Sequence, residues 1–346
     1  MRVAVVGAGV VGLATTAALL RRGVEVSCYE RSGAPMAERS AGSSRIFRLA
    51  HATPDLVRVA QVAQAGYARW SAEAGAPLVG TGGCVVSGGD WRQWAAAMAE
   101  AGAAVEIAGE GPARLRLPAH TLPAGALIDP SGGVIDVDAV RRHLVALGGE
   151  AVIAERVEAL DPGPRGVTVR TGAGSGSYDA VVLAAGAGTS ALAAQVGIET
   201  PGTLAHHVRF TFPLRRPGLW PAWIDKPADG MGTYQHQNGP GTWAVGSELD
   251  PALTAWEVGR DAASAASEAA VLRYAREHLD VEPRVVGRLY CAPHPGLGDG
   301  FEIRRSGSVL VAYGENLFKL APVLGELLAG ATVAGSTPAM RDALVR

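Results

Sequence analysis

The feature that most constrains this chain is the placing of Gly7, Gly9 and Gly12 between an apolar run, Val3 to Val6, and a helix-patterned segment, Val10 to Arg22. Strand, tight turn and helix follow without spare residues. Gly7 permits the sharp turn, Gly9 lets backbone approach a pyrophosphate, and Gly12 lets the helix lie close on the strand. The free N–H groups at the helix start, those of Val10 and Val11 among them, attract phosphate charge. A second apolar run, Val24 to Tyr29, leads into Glu30 and Arg31. Glu30 lies about 20 residues past the glycines, where a carboxylate accepts hydrogen bonds from an adenosine ribose. An acid there selects an unphosphorylated ribose, so FAD or NAD rather than NADP.

With 346 residues the chain has room for two cores. A formal charge of −2 offers no basic field to nucleic acid or to an acidic membrane surface. The three cysteines, Cys28, Cys84 and Cys291, are few and odd in number, and the opening strand leaves no room for a signal peptide, so the expectation is a cytoplasmic enzyme. Each apolar stretch is interrupted by Arg, Glu or Gly–Pro before the ~18 residues of a membrane span. Among 31 lysines and arginines, only Lys226 and Lys319 are lysine.

After Glu30 the sequence turns small and polar. Ser43 and Ser44 suit backbone lying against a ligand, and the spacing predicts that Arg45 and Arg48 share one face of a helical turn, where two guanidiniums call for an anion. A helix is predicted from Pro54 to about Ala74. Short strands, one helix (Asp90 to Gly102) and a turn-rich loop occupy Pro77 to Asp136 and read as an insertion away from the nucleotide sheet. Asp136 caps a helix, Val137 to Leu147. The runs AVIAERVEAL and YDAVVLAAGAGTS then return to the nucleotide fold, and Ala185 and Gly186 offer a second approach of backbone to a dinucleotide. Period-two runs from His206 to Leu249 predict an antiparallel sheet, and a helix follows from Ala262 to Leu279. The strand SVLVAYGE and a last helix, about Pro322 to Ala334, give the C-terminus back to the nucleotide fold. The predicted class is therefore α/β. A discontinuous Rossmann-like FAD-binding domain (1–76, 134–203, 291–346) carries an inserted α+β substrate domain (77–133, 204–290).

Together, GAGVVGLATTAALLRRGVEVSCYER, GSSRIFRLAH, the AERVEAL and VVLAAGAGTS pair, and GENLFKLAPVLGEL resemble the D-amino-acid oxidase superfamily of FAD enzymes, most of all its sarcosine oxidase branch. The resemblance covers essentially the whole chain; the second and fourth segments are its discriminating parts. It implies FAD as cofactor, with Arg45 against the flavin and Arg48 and Lys319 on a substrate carboxylate. It also implies that backbone at Val157 holds the adenosine. The segment Gly314, Asn316, Leu317, Phe318 and Lys319 would set N–H groups toward the flavin. Cys291, in RLYCAPHPG, matches the cysteine that bonds covalently to the flavin in sarcosine oxidases; from the residues alone it reads equally as a small buried residue at a strand end.

Three departures stand out. The branch's pocket tyrosine after the cysteine is Pro293 here, with His294 next. The strand over the flavin reads TWAVGSE, so the oxygen-activating lysine is replaced by Ala244 and the pocket histidine by Glu248. Tyr234 stands for the branch's other pocket aromatic. Glu248 reads either as a partner for a substrate ammonium or as an exposed strand-end acid. The resulting expectation is FAD-dependent oxidation of an amine or amino acid, its substrate bearing a carboxylate, in a biosynthetic setting, with oxygen or another acceptor and slow reoxidation. Rival readings are a flavin monooxygenase and a non-catalytic FAD-binding subunit.

Overall fold

The computed structural model describes residues 1–109, 115–228, 230–294 and 297–344. The strand Arg2–Val6 lies parallel between Ala180–Leu183 and Glu25–Tyr29. Val152–Ile153 extends that sheet on one side, and Val309–Glu315 with the antiparallel Gly300–Ser306 on the other. Val3 to Val6 and Ala180 to Leu183 are buried without alternation, as strands covered on both faces require.

The helix Val10–Leu20 is buried almost all round. It lies against the helix Ala321–Ala334 so closely that a Cβ on Gly325 would meet Ala14 backbone at 2.7 Å. The last helix and the turn before it, Leu317–Ala334, form an apolar stretch of 18 residues that meets the length and composition of a membrane span, contrary to expectation, but 72% of it is buried within the fold. It is a core helix. Helix Pro54–Ala74 begins at Thr53, whose hydroxyl accepts from Leu56 N, and places Gly66 on Pro322. Asp136 caps Val137–Gly148 through Ala139 N at 2.8 Å.

The second sheet has eight strands in the order Gly287–Cys291, His207–Pro213, Thr242–Glu248, Gly232–Gln237, Ala222–Lys226, Cys84–Gly88, Ala126–Asp129 and Glu106–Ile107. The sequence predicts an antiparallel sheet; one junction, Cys84–Gly88 beside Ala222–Lys226, is parallel. Those two strands come from segments separated by the chain's return to the nucleotide fold, so no hairpin dictates their direction. Alternation sorts the sheet's faces. Val208, Phe210 and Phe212 pack with Trp243, Val271 and Tyr274, the last two from helix Arg260–His278. His207, Arg209, Tyr234 and His236 face a cavity between the two sheets.

The predicted helical turn at Arg45 and Arg48 is absent. Ser44–Phe47 is a strand paired antiparallel with Gly133–Asp136, a partner that local spacing cannot reveal.

Candidate active site

The cavity measures about 2000 Å³ and runs from the glycine turn to Arg48 and Lys319. At the glycine turn, Gly7 has φ +102°, and a Cβ there would lie 2.5 Å from the Ala184 carbonyl oxygen. Gly9, Val10 and Val11 line the wall, and Val10 N–H donates to Ser40 Oγ at 3.0 Å. Gly12 sits behind the lining, where any Cβ would meet the Gly7 carbonyl oxygen at 1.8 Å. The Glu30 carboxylate is buried and held in place: Oε2 accepts from Ala8 N at 2.9 Å, and Oε1 from Ser32 N and Oγ. Arg31 is clasped by Glu38 through two hydrogen bonds of 2.7 and 2.6 Å. Val157, Ala185 and Gly186 complete this part of the wall. A side-chain-free turn, helix N–H groups and a fixed acid fit a dinucleotide with a free ribose.

Farther in, Arg45 donates to the carbonyls of Ser44, Arg39 and Ala41 and lies 5.7 Å from the Phe318 ring. Burial depresses its pKa, and among the described residues no carboxylate bonds to it. Ser43 and Ser44 stand off the cavity lining and turn their hydroxyls to Asn238. The Ser44 carbonyl also receives Arg209 Nη1 at 2.9 Å, and the same nitrogen lies 2.9 Å from His236 Nε2. Arg209 is 4% exposed, and burial brings its pKa down to about 10. Sequence reasoning missed it because an arginine within HVRFTFPL shows no neighbouring charge to mark it.

Cys291, at the end of its strand, has its sulfur 3.6 Å from Nδ1 of His207. Burial raises the thiol pKa, and Arg39 and Arg45 oppose the rise. Burial also lowers His207 to about 4, so its imidazole is neutral near pH 7. Tyr234 stacks on His207 with centroids 5.5 Å apart and its hydroxyl 3.4 Å from Nε2. His294 is fixed by Thr203 O at Nδ1 and by Glu315, which accepts its backbone N–H; Glu315 also pairs with Arg39. Glu248 stands at the rim, its side chain 61% exposed and 3.4 Å from Lys226.

Gly314, with φ +158°, has no room for a Cβ, which would lie 2.3 Å from Gly300 O, and Asn316 adopts φ +56°. These two kinks turn the chain from its strand into the turn Leu317–Leu320, with Leu317 and Phe318 on the wall and Lys319 beside them. Lys319 and Arg48 are 5% exposed, and both contact one carboxylate, Asp299. Lys319 Nζ donates to Asp299 Oδ1 at 3.1 Å; Arg48 Nη2 donates to Oδ2. Arg48 also donates to Ala50 O and lies 4.8 Å from the Trp94 ring. The two cations hold Asp299 well below the usual carboxylate range against the opposing effect of burial. Burial and Arg48 together bring Lys319 down to about 8. His51, 3.2 Å from Asp299 Oδ2, is pushed by burial to about 3 and is neutral. Asp299 escaped sequence reasoning because 251 residues separate it from Arg48.

The profile of the DAO family, FAD dependent oxidoreductase, matches residues 2–331. No curated protein matches the chain by sequence. Among solved structures, NikD, described as an unusual amino acid oxidase essential for nikkomycin biosynthesis, superposes with a TM-score of 0.82 at 24% identity, covering 99% of this chain and 96% of that one. Glycine oxidase from Geobacillus kaustophilus gives 0.77 at 18% identity over 98% and 96% of the two chains. L-proline dehydrogenase from P. horikoshii gives 0.74 at 18% over 97% and 94%. With the glycine cradle and Glu30 fitting the cofactor named by the profile, the chain belongs to the DAO family and is an FAD-dependent oxidoreductase.

Proposed function

We propose that this enzyme oxidises the C–N bond of an amine or amino acid that carries a carboxylate, yielding an imine. The observation that carries this reading is the convergence of Arg48 and Lys319, both nearly fully buried, on one carboxylate, that of Asp299, at the cavity wall. Two fixed cations in a site shielded from water each contribute about 1.5 to 3 kcal/mol to a charge-assisted hydrogen bond. They orient the substrate, so that entropy of alignment is spent in binding and not in reaction. Bound FAD supplies the acceptor for the hydride leaving the carbon next to nitrogen. Tyr234, its hydroxyl turned to neutral His207, offers a hydrogen-bonding group that can meet the substrate amine. Cys291 is the point of covalent attachment for FAD. The electron acceptor is oxygen or a second small acceptor, and a biosynthetic role is in keeping with the likeness to NikD, an amino acid oxidase essential for nikkomycin biosynthesis.

The test is an anaerobic screen of amines and amino acids for loss of the visible flavin absorbance. Bleaching by a compound bearing both amine and carboxylate, but not by its amide, is the expected result. Bleaching by none, or equally by the amide, rejects the reading.

A further inference from the structure

Arg48 and Lys319 already have a carboxylate. Asp299 Oδ1 accepts from Lys319 Nζ at 3.1 Å and from Asn316 Nδ2 at 2.8 Å, while Oδ2 accepts from Arg48 and lies 3.2 Å from His51 Nδ1. Both oxygens are satisfied in the way a ligand's carboxylate would be. The cations are the fixed members of the group: Arg48 is held by Ala50 O and the Trp94 ring, and Lys319 by its turn. The acid is the outer member, with its side chain 16% exposed against 6% and 5% for the two cations. It is also the one with a glycine on each side. Gly298 (φ +64°) and Gly300 (φ +129°) flank it in conformations that glycine adopts at little cost, and the site of a Cβ on Gly298 is open space. Asp129, the other buried acid nearby, is committed to the N–H groups of Leu49, Ala50 and Ser131 and cannot take its place.

Resting on the carboxylate-substrate reading, we propose that Asp299 is an internal carboxylate that holds the Arg48–Lys319 pair when no substrate is bound and is displaced by the substrate's own carboxylate. Two buried cations without an anion would repel each other and lose hydration; Asp299 removes that penalty in the resting protein. The consequence is selectivity. A ligand must outbid an intramolecular partner, so its apparent affinity is the intrinsic affinity reduced by the fraction of molecules in which Asp299 has swung away. A weak monodentate anion cannot do this, whereas a carboxylate aligned by the rest of its molecule can. Asp299 is thus a specificity-determining residue that favours an amino acid over simple anions.

The experiment is calorimetric titration of the FAD-loaded protein with benzoate and with benzamide, at pH 6 and low salt, for the native protein and Asp299→Asn. Asparagine keeps the shape and removes the charge. The expected result is that benzoate binds Asp299→Asn at least about tenfold more tightly than native protein, while benzamide binds neither. In parallel, Asp299→Ala should gain more thermal stability from added acetate than the native protein does, because acetate fills the vacated position. This second measurement needs only folded protein and serves if the asparagine variant is poorly soluble. Equal or weaker benzoate binding by Asp299→Asn overturns the proposal while leaving the carboxylate reading intact, provided that native protein prefers benzoate to benzamide. Failure of benzoate to bind either form overturns both.

Discussion

The sulfur of Cys291 stands 3.6 Å from Nδ1 of His207, and the two residues are directly paired across neighbouring strands of the second sheet. His207 is neutral near pH 7, so its ring can hold and orient the thiol by a hydrogen bond, and Arg39 and Arg45 oppose the rise in thiol pKa that burial causes. Covalent attachment of FAD at Cys291 is therefore expected. The intact mass should equal chain plus FAD, and acid precipitation should leave the yellow colour on the protein. Cys291→Ala should bind FAD that acid releases, and His207→Asn should slow attachment by at least about tenfold. Release of all colour from the native protein would exclude the bond.

Arg48→Ala is expected to raise KM for an amino acid by at least about tenfold, equivalent to about 1.4 kcal/mol, without loss of FAD. Because the change also leaves Asp299 with one cation fewer, urea unfolding should show a loss of about 3 kcal/mol. An unchanged KM with the stability loss would make Arg48 structural only.

The pH dependence of substrate binding should report Lys319. The lysine binds a carboxylate only when charged, and its pKa lies near 8. The groups facing it do not titrate between pH 6 and 9: Asp299 stays ionised, His51 stays neutral and Cys84, at about 12, stays a thiol. Affinity for a carboxylate ligand should thus be full below pH 7 and fall as pH rises through about 8. Lys319→Met should remove that fall. An affinity that is flat from pH 6 to 9 in the native protein would show that the lysine takes no part in binding.

Oxygen reactivity is expected to depend on Arg209. Ala244, where the resemblance would put a lysine, is fully buried between Thr211 and His236 in adjacent strands, and the Arg209 guanidinium reaches His236 from the next row. A cation thus borders the cavity here, on the neighbouring strand. A fixed positive charge lowers the barrier to electron transfer onto oxygen. Arg209→Met should slow reoxidation of the reduced enzyme by at least about tenfold, or about 1.4 kcal/mol of barrier. Stopped-flow mixing with oxygen checks it; an unchanged rate assigns the task elsewhere.

What could be read from the sequence follows from the range over which each feature is encoded. The glycine turn, the cap at Asp136 and the helix Pro54–Ala74 are set by residues within a few positions of one another, and they stand where expected. Ser44–Phe47 misled because its extended form comes from pairing with Gly133–Asp136, about ninety positions away. The parallel junction of Cys84–Gly88 with Ala222–Lys226 was hidden for the same reason. At the site, Arg48 and Lys319 could be singled out by resemblance, whereas Asp299 and Arg209 acquire meaning only through distant partners.

The close seat of Gly325 on Ala14 has a consequence for biogenesis. Strand Arg2–Val6 and helix Val10–Leu20 leave the ribosome well before the strand's neighbour Ala180–Leu183, the next strand Val309–Glu315 and the helix Ala321–Ala334. Domains ordinarily fold as their residues appear, but here helix Val10–Leu20 lacks the helix it packs against until Ala321–Ala334 has been made. Cofactor capture is thereby deferred until that helix has emerged, and a chain terminated before it has an incomplete nucleotide cradle and a bare helix for chaperones and proteases to recognise.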